Sequence, residues 1–177
     1  MNVVNLFNTL PGNGWLTIDE AELLWDISSR VRGPILEVGC YYGRSTCLLA
    51  AHGRLIYAVD PFADGFDSDA SGDEILGHFR ENLRERQIDN VHLFREKIED
   101  WIPRIVGFAY LDGDHSYVGT LHQLSKAHQS EARHICVHDY SLDRGGLEVK
   151  KAIEDYPGYK LVTVVGRMAH CIYSKRP

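Results

Sequence analysis

The chain has 177 residues, 44% of them apolar and 25% charged, the balance of one globular domain rather than of a disordered or fibrous polypeptide. Nineteen Lys plus Arg against 25 Asp plus Glu leave a net charge of -6, so a phosphate backbone is repelled on average and no nucleic-acid partner is expected. No apolar run approaches the roughly 20 residues of a membrane span, and the first basic side chain is Arg30, so the expectation is a cytoplasmic protein with neither membrane segment nor leader.

In chain order, Thr17-Ile18-Asp19-Glu20 has the form of a capping box, and Ala21, Leu24, Ile27 and Val31 follow at helical spacing. That helix should end near Gly33-Pro34. A short strand, Ile35 to Val38, then runs into a glycine loop from Gly39 to Gly43. A helix from Arg44 to His52 and a strand from Leu55 to Asp60 come next. Pro61 to Gly72 is a loop rich in Asp and Gly, with Asp64 to Asp73 a candidate lid. Ser71-Gly72-Asp73-Glu74 opens an amphipathic helix with Ile75, Leu76, Phe79 and Leu83 on its apolar side. Further strands are expected at Val91 to Phe94, Phe108 to Leu111 and Ile135 to His138. A helix carrying Val118, Leu121, Leu124 and His128 lies between the last two. A helix over Glu148 to Asp155 precedes two strands, Tyr159 to Val165 and Met168 to Ser174, joined as a hairpin at Gly166-Arg167. Alternating strands and helices indicate an α/β domain over residues 1–177 with a mostly parallel sheet closed by one antiparallel strand. Cys40, Cys47, Cys136 and Cys171 form no CxxC pair and read as reduced, buried thiols.

Ligands of such sheets bind beyond the carboxyl ends of the strands. The residues closing the strands are Glu37 with Gly39, then Asp60, Glu96, Asp112 and Asp139, a concentration of acids with no evident Lys or Arg partners. Glu37-Val38-Gly39-Cys40-Tyr41-Tyr42-Gly43 has the form ExGxxxG, and Asp60 follows Gly39 by 21 residues, where a second-strand acid accepts from ribose hydroxyls. A dinucleotide loop would carry a second glycine where Cys40 and Tyr41 stand, so a nucleoside without pyrophosphate fits better.

EVGCYYGRST from Glu37 to Thr46, AVDPF from Ala58 to Phe62, DGDHSY from Asp112 to Tyr117 and HDY from His138 to Tyr140 together resemble class I S-adenosylmethionine-dependent methyltransferases. The last two motifs are similar to those of the metal-dependent O-methyltransferases of small molecules. The resemblance implies a Rossmann-like, three-layered fold with a seven-stranded sheet in the order 3-2-1-4-5-7-6. It implies S-adenosylmethionine as cofactor, with Glu37, Gly39, Tyr41, Gly43 and Ser45 around its methionine end, Asp60 on its ribose, Phe62 flanking adenine, and Asp112 beside it. Asp112 and Asp139 would be metal ligands, His138 a third, and His115 the general base.

The residue chemistry is compatible with that assignment. Two carboxylates at adjacent strand ends suit Mg²⁺, and an added imidazole favours Mn²⁺ or Fe²⁺. Asp114 reads equally as ligand or turn residue, and the other seven histidines as ordinary surface or core groups. The acceptor expected is a small molecule with a vicinal diol or catechol-like group. Little chain is available to cover it, which leaves room for a partner subunit or a dimer mate to complete the site. The rival readings are a binding or assembly domain without turnover and a nicotinamide-dependent oxidoreductase.

Overall fold

The computed structural model describes residues 2–12, 14–64, 70–141 and 146–174. Seven strands, β1 (Ile35–Val38), β2 (Ile56–Val59), β3 (Val91–Phe94), β4 (Phe108–Leu111), β5 (His134–Val137), β6 (Tyr159–Val165) and β7 (Met168–Tyr173), form one sheet in the order β3-β2-β1-β4-β5-β7-β6. The first five pair in parallel, and β7 runs antiparallel to both β5 and β6. Strands β1 and β4, in the interior of the sheet, are buried at every position, as strands covered on both faces should be.

The helices are α1 (Val3–Phe7), α2 (Ile18–Arg30), α3 (Arg44–Ala50), α4 (Gly72–Glu85), α5 (Tyr117–Gln129) and α6 (Leu147–Asp155). Alternate strand residues feed two cores. Ile35, Ile56, Phe108 and Cys136 pack with Leu24, Leu48 and Phe79 of α2, α3 and α4 on one face. Leu36, Val59, Ala109 and Ile135 pack with Leu124 of α5, Ile153 of α6 and Trp101 on the other. Three layers result, a Rossmann-like methyltransferase fold. Among the described residues no helix is long and apolar enough to cross a membrane.

The expected capping box of Thr17 with Glu20 forms, and Ser71 with Glu74 forms a second, each side-chain oxygen and each Glu closing on the other's backbone N–H. Residues 65–69 of the expected lid lie outside the described residues. The cysteines are free and buried, and burial pushes the thiols of Cys47 and Cys171 up to about 12, which removes them as nucleophiles near neutral pH.

Candidate active site

The position of the site follows from strand register. The parallel ladder continues one residue beyond each strand: Asp60 N donates to Phe94 O, Gly39 N to Val59 O, Asp112 N to Val38 O and His138 N to Leu111 O. Asp60, Gly39, Asp112 and His138 therefore stand in one row across the carboxyl edge, with Asp139 one step above.

The half of this row around β1 and β2 is a tight loop. Gly39 has φ +82°, and a Cβ there would lie 2.0 Å from Asp112 O, so the loop passes over β4 with room for hydrogen only. Asp60 holds its far side: Oδ2 accepts from Cys40 N at 2.7 Å and Tyr41 N at 3.0 Å, and Oδ1 from Phe62 N at 2.7 Å. Gly43, at φ +85°, caps α3. Tyr41, at φ +47°, stacks on Trp15 with ring centroids 5.5 Å apart. Ser45 Oγ donates to Glu37 Oε1 at 2.5 Å. Phe62, expected to flank an adenine, is 4% exposed and packs edge-on against Phe79.

Glu37 is the most costly group in this half. It is fully buried, and its Oε2 has no hydrogen-bond partner among the described residues. Burial pushes its carboxyl up to about 8, with the charges of Asp112 and Asp60 adding and the Ser45 hydroxyl opposing. An orphaned acid of this kind is suited to a cationic group arriving from outside.

The half around β4 and β5 is a compact set of acids and imidazoles. Asp112, His138 and Asp139 each offer a ligand atom, all within 4.8 Å of one another. His138 Nδ1 lies 3.3 Å from Asp112 Oδ1 and 3.7 Å from Asp139 Oδ2. His115 bridges the same carboxylates, Nε2 to Asp112 Oδ1 at 3.4 Å and Nδ1 to Asp139 Oδ2 at 3.1 Å. Burial disfavours charge on both rings, but the facing carboxylates prevail and raise both imidazoles, while Asp112 is held well below the usual carboxylate range. Asp139 sits at φ +58°, a left-handed position that Asp tolerates better than most residues and that turns its carboxylate back onto the row. Asp114 takes no part: Oδ1 accepts from Ser116 N at 2.8 Å and turns the chain into α5. Glu96 and the other seven histidines are not among the residues gathered here.

Residues 36–140, from β1 through the HDY motif, match the methyltransferase domain family. The chain belongs to that family. This is the class I S-adenosylmethionine-dependent methyltransferase reading, and the matched segment holds both halves of the site. Among solved structures, this methyltransferase resembles a SAM-dependent O-methyltransferase from Thermotoga maritima at TM-score 0.71 and 12% identity, over 100% of this chain and 73% of that one. An O-methyltransferase from Bacillus cereus in complex with SAH is similar at TM-score 0.63 and 17% identity, over 97% and 87%. An rRNA methylase from Streptococcus thermophilus is similar at 0.61 and 15%, over 86% and 95%. Two O-methyltransferases and an rRNA methylase on one architecture show the fold, not the acceptor. No curated protein sequence compared with this methyltransferase is significantly similar.

Several residues that shape the methyltransferase site were not singled out by sequence. Tyr110 Oη donates to Asp112 Oδ2 at 2.9 Å; the strand's two-residue period could have signalled it. Gln123 of α5 accepts from Gly113 N and donates to Asp114 O, gripping the DGDH turn at 3.0 and 2.7 Å. Arg167, in the hairpin turn, reaches Asp139 Oδ1 at 2.6 Å, and Glu20 lies behind His138. No local pattern marks either of these long-range partners.

Proposed function

We propose that this methyltransferase moves a methyl group from S-adenosylmethionine to a hydroxyl of a small molecule, assisted by a divalent metal and with His115 as general base. The observation that carries the proposal is the convergence of Asp112, His138, Asp139 and His115 at one strand-end cluster beside the Gly39 loop.

The cofactor end is argued from fit. The orphaned Glu37 carboxylate suits the cationic methionine portion of S-adenosylmethionine. Asp60 ties the loop with three accepted bonds and keeps one acceptor site, on Oδ1, for a ribose hydroxyl. The bound cofactor supplies an electrophilic methyl that needs no protein nucleophile.

At the acceptor end, Asp112 Oδ1, Asp139 Oδ2 and His138 Nδ1 would hold the metal, Mg²⁺ by the carboxylates and Mn²⁺ or Fe²⁺ by the imidazole. Held there, the ion would supply Lewis-acid activation of the acceptor hydroxyl. The chain's own part is to orient and deprotonate: holding the hydroxyl in line can contribute about 7–11 kcal/mol. His115, between the two carboxylates, would take the proton in its neutral form. The preferred acceptors are therefore vicinal diols and catechol-like phenols in sugars or natural products.

A labelled-methyl assay over a panel of diols and phenols, with and without EDTA, tests the proposal. Transfer to one class, lost on chelation and restored by Mg²⁺ or Mn²⁺, is the expected result. Full transfer after exhaustive chelation would remove the metal from the account.

A further inference from the structure

We propose that Glu20 is a positioning residue of the acceptor half of the site, fixing His138 so that its Nδ1 stays aimed at Asp112 and Asp139. The inference rests on the metal reading above.

Glu20 is the third residue of α2 and 1% exposed, and it lies outside the segment that matches the family. Its Oε2 accepts from Thr17 N at 2.9 Å and Thr17 Oγ1 at 2.8 Å, which completes the capping box. A cap alone would leave the rest of the side chain facing solvent. Here Oε1 instead accepts from Arg167 N at 2.7 Å, and Oε2 lies 3.5 Å from His138 Nε2. The turn packs closely on this carboxylate: a Cβ on Gly166, itself at φ +56°, would come within 2.6 Å of Glu20 Oε1.

The connection closes on itself. Arg167 O accepts from Tyr140 N at 2.8 Å, and its guanidinium meets Asp139 Oδ1. Glu20, Arg167, Asp139 and His138 therefore form a ring of contacts joining α2, the β6–β7 turn and the end of β5. Two parts of the chain far apart in sequence are needed to set one imidazole. A buried carboxylate on Nε2 keeps the proton there and leaves Nδ1 as the ligand atom, the arrangement by which outer carboxylates orient metal-binding histidines.

Cobalt(II) titration of the purified protein without substrate, read by visible absorption, tests this directly. Glu20→Gln should weaken cobalt binding by about 10–100-fold and alter the absorption bands, with S-adenosylmethionine affinity unchanged. Thr17→Ala, which removes the cap hydroxyl but not the carboxylate, should lower the melting temperature and leave cobalt affinity at the wild-type value. Wild-type cobalt affinity and bands in Glu20→Gln would overturn the inference, as would equal losses in the two variants. A second readout needs no variant: imidazole ¹⁵N shifts of the zinc-loaded wild type should show a protonated Nε2 on His138, and a metal-bound Nε2 would overturn it. A wild type that takes up no cobalt contradicts the metal reading itself, and this inference with it.

Discussion

At the scale of single residues, Glu37 and His115 show how burial is turned to opposite uses. Glu37 is a buried acid raised from 4.5 to about 8 in the folded chain. An acid raised on folding stabilises the folded state below its unfolded value, and that contribution fades as pH rises through the folded value. The ligand-free protein should therefore lose stability between about pH 4.5 and pH 8, seen as a falling melting temperature. Glu37→Gln should flatten that part of the profile and also weaken S-adenosylmethionine. A variant that melts like wild type at both ends would show that the carboxyl is not carrying this cost. His115 faces two carboxylates that favour its protonated form. His115→Ala should lower kcat by about 10²–10⁴-fold and recover in part at higher pH, with binding of metal and cofactor little changed. Single-turnover rates across pH check this, and loss of the metal instead would make the imidazole a ligand.

At the scale of elements, the carboxyl edge of the sheet was readable because it is built from local rules. The apolar runs mark all seven strands, and Asp60, Gly39, Asp112 and His138 fall in one row because the parallel register puts Val38 beside both Val59 and Leu111. What escaped was whatever depends on distant chain. Helix α1, five residues from Val3 to Phe7, is too short to show a period. In α5 the expected apolar stripe is displaced: Val118 is 58% exposed, while Gly119, Thr120 and Gln123 are buried with Leu124. The DGDH turn sets that rotation, since Gly119 admits Asp114 and Gln123 grips the loop backbone. Expected strand β5 included His138; the strand ends at Val137, and His138 keeps one ladder bond, its N donating to Leu111 O, while its ring joins the cluster. Glu20 showed only its capping role, because the partner that gives it another lies 118 residues away. The cluster's electrostatics also yield a prediction. The carboxylates hold His138 protonated to well above its ordinary pH range, so a divalent ion must displace that proton. Metal affinity, followed by calorimetry, should rise with pH through the neutral range. Affinity flat across it would exclude His138 as a ligand.

At the scale of the whole molecule, the fold divides one edge into two half-sites that share a single row of backbone hydrogen bonds. The cofactor half is set by α3 and the loops after β1 and β2, the acceptor half by β4, β5 and their ties to α2 and the hairpin. Gly39 is the seam, where the first loop rests on the Asp112 carbonyl. Gly39→Ala should therefore damage both halves at once, lowering stability and S-adenosylmethionine affinity together, because the added methyl meets backbone rather than a movable side chain. Substitutions on one side only should affect one function only. The most direct test is the S-adenosylmethionine dissociation constant of Asp139→Asn, measured by calorimetry beside its methyl-transfer rate. The account predicts a cofactor affinity close to wild type with turnover abolished. Parallel loss of both, in a variant that remains folded, or turnover kept at the wild-type rate, would contradict it.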